Sequence, residues 1–545
     1  MSISLVPTKK KAEPTLLELL LLEQGELSAV DRFADWHESH SIAAATYQAL
    51  MPATALKSGQ QYAFEVDLDA CSGCKACVVA CHTLNGLEET ETWRKVGALS
   101  SQSVTSLPIV QHVTTACHHC IDPACLNGCP VQAYEKDLIT GIVRHLDDQC
   151  FGCKYCIMMC PYEVPQYSSS LGIVRKCDMC SQRLGVDEAP ACVQACPNRA
   201  IRISIVDVAK VVASSLNLGL DASVQPRLVA TAPLSHITMP TTRYLSKHAD
   251  DARANLLSLE SVADRPHDGH LPLVVMIVLT QSSVGIWIIL ALLAMTSASS
   301  SNAFPAVFAT TLGIAGVHAA LLHLGRPWLA FRAFLGWRSS WLSREAIGFG
   351  IFMGAASSAT AVQLLLPNQS LLAAVTGTFA AVSGSLAVLC TSMIYIATRR
   401  ELWGCIRSGT DFALSMTGLG LVGAVACVDG LAFSLLAVGV GASMTAAFAK
   451  IVDYRRSKLG IDRWENFSAR SGLILRRELA TLWQAMWVLH FTALVLTLVV
   501  CVCDLSDSKP FLLYTIFGLC LAAQAVHRWL YFASVVYRRM PGSNT

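Results

Sequence analysis

The sequence predicts two bodies in one chain of 545 residues: an α+β domain built from short strands and cysteine-bearing loops, and an all-α membrane domain of eight transmembrane helices. Three observations predict this. Sixteen of the 22 cysteines fall between Cys71 and Cys196. Short alternating segments flank those cysteines. From Leu271 onward, eight apolar segments follow at lengths that cross a bilayer. The formal net charge of +2 gives no support for a nucleic-acid partner.

The cysteines form four quartets. Cys71, Cys74, Cys77 and Cys81 are spaced C-x2-C-x2-C-x3-C, and Cys150, Cys153, Cys156 and Cys160 repeat that spacing before Pro161. Cys117, Cys120, Cys125 and Cys129 are spaced C-x2-C-x4-C-x3-C before Pro130, and Cys177, Cys180, Cys192 and Cys196 precede Pro197. The C-x2-C-x2-C-x3-C-P run gives three thiolates to one [4Fe–4S] cluster and its last cysteine to a neighbouring one. Sixteen cysteines therefore read as four clusters in a ferredoxin-like domain. Zinc sites rarely place a third cysteine two residues on with C-x3-C-P behind it. Disulfides need an oxidising compartment, and no signal peptide is expected before this domain. Cys390, Cys405, Cys427, Cys501, Cys503 and Cys520 are scattered through the apolar half, where cysteine serves as a small hydrophobe.

The other elements follow in order. In an N-terminal extension, residues 1–60, the run from Leu16 to Leu22 is broken by Glu18 and continues at helical spacing through Val30, Phe33 and Trp36, which predicts an amphipathic helix over 15–36. Residues 61–203 hold the cluster domain, with strands expected at 62–67 leading into the first quartet, at 141–144 before the third, and at 200–203 after the fourth. Residues 204–270, with Pro226, Pro233, Pro240 and Pro266, read as a connector on the domain surface. Residues 271–545 form the membrane domain, with spans expected over 271–295, 304–324, 345–366, 371–396, 412–428, 431–449, 482–503 and 511–533. Alternate loops and the tail carry seventeen basic residues, including Arg326, Arg332, Arg399, Arg400, Arg455 and Arg456, against Lys509 alone on the opposite side. The positive-inside rule then places the cluster domain and both termini in the cytoplasm, on a multi-pass protein of the inner membrane.

Residues 62–203 resemble the four-cluster iron–sulfur subunit of the dimethyl sulfoxide reductase family of molybdopterin enzymes. The stretches that carry this are Cys71-Ser-Gly-Cys-Lys-Ala-Cys-Val-Val-Ala-Cys81, Cys117-His-His-Cys-Ile-Asp-Pro-Ala-Cys125, Cys160-Pro-Tyr-Glu-Val-Pro-Gln-Tyr167 and Lys176-Cys-Asp-Met-Cys180. Residues 271–545 resemble the eight-helix membrane anchor of the same reductase through Leu322-His-Leu-Gly-Arg-Pro327 and Leu342-Ser-Arg-Glu345. The polypeptide thus looks like a fusion of two subunits. The resemblance implies crossed ligation. Cys71, Cys74 and Cys77 share a cluster with Cys196; Cys81 joins Cys177, Cys180 and Cys192. Cys117, Cys120 and Cys125 pair with Cys160; Cys129 joins Cys150, Cys153 and Cys156. It implies that the first of these lies nearest a molybdopterin-containing catalytic subunit and the last nearest the membrane. Because Cys153 stands where some relatives have tryptophan, a four-iron cluster is expected there.

The resemblance also implies a quinol (or menaquinol) site with an essential histidine and an acid, which match His323 and Glu345. Quinol oxidation releases two protons with two electrons, and histidine titrates near neutral pH. Gln281 in the first span is a further candidate for a hydrogen bond to the quinone. The last span carries Gln524, His527 and Arg528 where anchors often have an acid. His318, His323, His490 and His527 could in principle ligate haem, but the anchor resembled here is haem-free, and haem is not expected.

No segment is long enough to be a molybdopterin domain. The expected role is therefore electron transfer and anchoring: electrons pass from the membrane quinone pool through the clusters to a separate catalytic subunit. Reverse flow, from a substrate-oxidising partner to quinone, is one alternative. An ion-translocating redox module is another; it requires several buried charges within the spans, and few are apparent in the sequence.

Overall fold

The computed structural model describes residues 15–17, 19, 50–52, 54–101, 109–216, 226–247, 256–258, 264–296, 302–428, 430–458, 466–503 and 509–542. Of the expected N-terminal helix, Leu16, Leu17 and Leu19 are helical and exposed, and the rest of that expectation lies outside the described residues.

In the cluster domain, β1 (Gln60–Asp67) pairs antiparallel with β2 (Ile201–Asp207), with Phe64 opposite Ile203 and Val66 opposite Ile201. All four side chains are buried in one core, so the strands before the first quartet and after the fourth close the domain on itself. A strand at Val143–His145 precedes the third quartet and pairs with Tyr134–Lys136, as the alternation predicts. The connector departs from expectation. Arg243–Leu245 adds to the free edge of β1 as a parallel strand, and Leu256–Ser258 pairs antiparallel with the strand Lys95–Ser101. Ala232, Thr238, Thr241 and Leu256 are buried. These segments are part of the cluster domain because an open strand edge gains hydrogen bonds and cover from them.

Among the described residues, the membrane half contains seven helices long and apolar enough to cross a bilayer, or eight if one bent pair counts as a span. They are α1 (Leu271–Met295), α2 (Phe304–Leu321), α3 (Trp341–Leu365), α4 (Ser370–Ile396), α5 (Cys405–Cys427), α7 (Ala480–Val502) and α8 (Lys509–Ala533), with α6 (Ser434–Ala446) running into a second segment bent by 43°. The expected sixth span is therefore sharply bent, and it continues as a helix through Lys458. The basic stretch after it is folded too: Phe467–Arg477 is a helix that buries Ile474 and Leu475.

Two other boundaries move. The helix α3 starts at Trp341, which brings Glu345 into its second turn. The helix α5 starts at Cys405, seven residues before the apolar window, and so takes in Arg407, Ser408 and Asp411. The expectation of few buried charges is overturned as a result. Asp411, Lys450, Asp453, His527 and Arg528 are all buried in the membrane half, each no more than 6% exposed. Each is paired, and pairing lets a charge sit where its neighbours are apolar.

Helix α1 is central, packed on α2, α4, α5 and α8. At its crossing with α5, Gly285 and Gly420 meet backbone to backbone: a Cβ on Gly285 would lie 2.4 Å from the Met416 carbonyl oxygen and 2.6 Å from the Gly420 Cα. Small residues here permit close approach of the helices. Past α8 the polypeptide returns to the cluster domain. Met540 enters its core, Tyr537 donates a hydrogen bond to Glu163, and Gly97 packs against Gly542. Gly285→Leu is expected to force α1 and α5 apart and to destabilise the membrane half by about 2 kcal/mol or more, as overpacked cores do. Unfolding of the detergent-solubilised protein in graded denaturant measures this; an unshifted midpoint would refute the close crossing.

Candidate electron-transfer site

The cysteine loops owe their shape to left-handed residues. In the first quartet Gly73 has φ +73° and Lys75 φ +62°; in the third Gly152 has φ +73° and Lys154 φ +61°. Both quartets read Cys-x-Gly-Cys-Lys-x-Cys, and in both the glycine supplies a conformation that costs other residues strain. The loop then enters a short helix, Ala76–Leu84 or Tyr155–Met159.

The fold brings the quartets together crosswise. One cradle is lined by Cys71, Cys74, Cys77 and Cys196, with Gly73 and Thr114. A second is lined by Cys117, Cys120, Cys125 and Cys160, with Lys176. The thiols acting electrostatically on Cys81 include Cys192 and Cys180, and Cys177 lies in reach of Cys81 and Cys180. Likewise Cys156 is surrounded by Cys153, Cys129 and Cys150. Each group draws its members from two different quartets. Among the described residues no trio of His, Cys, Asp or Glu closes on a single metal ion. Thiols arranged around a multi-iron cage need not meet at one point.

The surroundings fit such a cage. Burial pushes the Cys81 thiol up to about 12 and those of Cys129, Cys160 and Cys180 to about 11. Free thiolates are disfavoured there, and a cationic metal core reverses that balance. Backbone N–H groups nevertheless point at sulfur, from Ala133 to Cys129 Sγ at 3.2 Å and from Ala200 to Cys196 Sγ at 3.3 Å. Two buried cations serve the same groups. Lys176, 3% exposed, lies with its Nζ 3.7 Å from Cys117 Sγ and donates to the Cys177 carbonyl at 2.9 Å. Arg94, 1% exposed, donates from Nη1 to Thr114 Oγ1 at 3.1 Å and stacks over Phe64 at 4.6 Å, while its Nε and Nη2 have no hydrogen-bond partner. Burial opposes its charge, but Cys192, Cys77, Cys177 and Cys81 outweigh that and hold it protonated.

The third quartet is seated on the membrane half. The Leu322–Pro327 motif docks there: the Arg326 N–H donates to the Phe151 carbonyl at 3.0 Å, and its Nη1 to the Asp147 carbonyl at 3.1 Å. Gly325 must be glycine, because a Cβ would lie 2.0 Å from the Gly172 carbonyl oxygen. Ser343 of the second motif donates to the Pro130 carbonyl at 3.3 Å, beside Cys129. Tyr155, between Cys153 and Cys156, is buried in the core of the membrane half and donates to the Ile394 carbonyl at 3.2 Å. The sequence alone does not single it out; an aromatic residue inside a ligand loop is the signal that it has something to pack against.

The quinol-site candidates are distributed around this seam. Glu345 is 5% exposed, with Thr391 beside its carboxyl and Tyr155 in electrostatic reach. His323 lies near Lys154 and His270. Burial pushes its pKa down to about 4, and its Nδ1 is buried with only a loose approach to the Ala320 backbone. The third cysteine loop thus reaches both, His323 through Lys154 and Glu345 through Tyr155. Gln281 is placed elsewhere: it is 1% exposed, its Nε2 donates to the Phe412 carbonyl at 3.4 Å, and its Oε1 has no partner. It belongs with Asp411 and the last span.

This architecture is that of a multi-pass membrane protein with a ferredoxin-type iron–sulfur region. Residues 109–205 match a 4Fe–4S dicluster domain family, and residues 267–534 match the DMSO reductase anchor subunit family. The polypeptide is 33% identical over 189 residues to the B subunit of the anaerobic dimethyl sulfoxide reductase of Haemophilus influenzae, a match that covers 33% of its own length and 87% of that protein. It is 33% identical over 187 residues to the corresponding B subunit of Escherichia coli strain K12, covering 33% and 86%. The formate dehydrogenase-O iron–sulfur subunit of the same strain is 34% identical over 165 residues, covering 27% and 55%. The protein belongs to the anaerobic dimethyl sulfoxide reductase family and joins its iron–sulfur and anchor subunits in one polypeptide.

With iron–sulfur clusters bound at the first and fourth quartets, Arg94→Gln would lower their reduction potentials, because reduction adds negative charge that this cation stabilises. A redox titration followed by electron paramagnetic resonance should show those signals moving while those of the third quartet stay. Unmoved potentials would make Arg94 a packing residue only.

Proposed function

We propose that this protein is the electron-transferring, membrane-anchoring subunit of a molybdopterin oxidoreductase, taking electrons from quinol and passing them to a separate catalytic subunit. When bound, four [4Fe–4S] clusters supply one-electron carriers. Their ligands are the four crossed groups, with Cys71, Cys74, Cys77 and Cys196 toward the catalytic partner and Cys129, Cys150, Cys153 and Cys156 toward the membrane. The observation that carries the reading is the placement of Tyr155: one residue links the third ligand loop to the buried Glu345.

The protein's own residues handle protons at that point. With its pKa pushed down by burial, His323 is neutral at physiological pH, and its buried Nδ1 is open to a quinol hydroxyl. Glu345 supplies a second acceptor, screened from water by Tyr155 and α4. The iron–sulfur region and the tail face the cytoplasm, because the basic loops lie on their side.

His323→Ala is expected to slow quinol-driven reduction of the clusters by about a hundredfold, in line with the loss of a general base, while iron content and partner binding are kept. Glu345→Gln should slow it less. Stopped-flow reduction by a quinol analogue, with a dithionite control, reads both. Wild-type rates in His323→Ala would move the site away from this seam. A separate expectation concerns topology: a fluorescent protein fused after Thr545 should fluoresce, and alkaline phosphatase there should be inactive. Active phosphatase would reverse the orientation and with it the cytoplasmic partner.

A further inference from the structure

A second polar system lies in the membrane half, and the proposed quinol chemistry does not use it. Asp411 of α5 accepts hydrogen bonds from Arg528 Nη2 at 3.1 Å and from His527 Nε2 at 3.2 Å, both from α8. Ser415 Oγ lies 3.4 Å from Asp411 Oδ1 and 3.0 Å from Gln524 Oε1. Gln524 Nε2 donates to Ser443 Oγ of α6 at 2.7 Å, and that hydroxyl is 3.1 Å from His490 Nε2 of α7. Four helices thus share one hydrogen-bonded network. On its other flank stand Gln281 of α1 and the Phe412 and Tyr531 rings, whose centroids lie 4.1 and 5.0 Å from the Arg528 guanidinium.

A purely structural ion pair needs only Asp411 and Arg528. Here a third ionisable group is added and left incomplete. His527 is 1% exposed and its Nδ1 has no partner; Arg528 Nε and Nη1 and Gln281 Oε1 are likewise unpartnered. Orphaned polar atoms at this depth are costly unless internal water meets them. A carboxylate only accepts, so His527 Nε2 carries the hydrogen and Nδ1 offers its lone pair. With Asp411 negative and Arg528 positive, the cluster is neutral. Binding one proton at Nδ1 makes an imidazolium held directly on the carboxylate.

There is also a way in. Lys450 is in electrostatic reach of Asp411, donates to Ser534 Oγ at 2.6 Å, and lies 3.9 Å from Asp453. Asp453 pairs with Arg407, whose side chain is 26% exposed on the face that carries the cluster domain. We propose that His527, seated on Asp411, is a proton-binding site inside the membrane half, loaded from that face through Asp453, Lys450 and internal water. A proton leaves bulk water, passes along these groups and ends on Nδ1; no bond other than N–H and O–H changes and no electron moves. The site stands apart from His323 and Glu345, so it does not depend on where quinol binds.

The test uses the full-length protein in lipid nanodiscs with ring-labelled histidine. Infrared difference spectra and proton counts are taken across about pH 5 to 8, the range in which histidine changes charge. His527→Gln is expected to bind one proton fewer per molecule and to lose one histidine's worth of imidazolium band. Asp453→Asn is expected to keep the count but slow uptake after a pH jump by about tenfold, as loss of a proton-relaying group does. Iron content and unfolding midpoint report whether each variant has assembled. If His527→Gln does not assemble, His527→Asn, a smaller amide that leaves Asp411 and Arg528 paired, is read in the same way. A full proton count in either assembled His527 variant overturns the site; unchanged uptake in Asp453→Asn overturns the route.

Discussion

The seam between the two halves rests on a contact in which side chains are absent. Gly325 of the membrane half lies against Gly172 of the cluster domain so closely that a Cβ would be 2.0 Å from a carbonyl oxygen, and Gly152 approaches the same carbonyl from its own side. Backbone-to-backbone contact leaves no slack. It sets how deep the third cysteine loop sits, and therefore puts Tyr155 into the apolar core and brings Lys154 near His323. The arginine that follows Gly325 converts that proximity into directed bonds to Phe151 and Asp147. Any side chain at Gly325 would separate the loop from the spans, with consequences for both.

Electrostatics divides the molecule in a similar way. In the cluster domain, Arg94 and Lys176 are buried beside thiols, and their charges are matched only when the sulfurs are anionic. In the membrane half, Arg528 and Arg407 are matched by acids, Asp411 and Asp453. Both arrangements keep cations out of water at a cost that a partner must offset. The difference is that the cluster domain's partners are thiols suited to ligate an iron–sulfur group, and the membrane half's are protein carboxylates.

Much of this was legible in the sequence, because the relevant signals are local. Cysteine spacing names the loops, and the strands at 62–67 and 200–203 alternate as edges of a buried core should. The apolar windows found the seven regular spans, since hydropathy depends on neighbours in sequence. Asp411 escaped for the same reason. It stands one residue outside the window that begins at Phe412, and its partners His527 and Arg528 are more than a hundred residues away. The paired charges are cheap only in three dimensions. The connector misled for a related reason: strands of three residues at 243–245 and 256–258 carry too little pattern to be seen before the edges they complete are known. Tyr155 is an ordinary aromatic residue until the membrane half arrives beneath it.

The return of the polypeptide after α8 has a consequence for biosynthesis. Met540 is part of the cluster domain's own core, and Tyr537 and Arg539 hold Glu163 beside the last cysteine of the third quartet. The cluster domain is made first on the ribosome, yet it is sealed by residues made after the final helix. Closure of that core over Met540 therefore follows synthesis of the final helix. Fusing two subunits thus does more than keep them together: the end of the anchor supplies a piece of the other subunit's core.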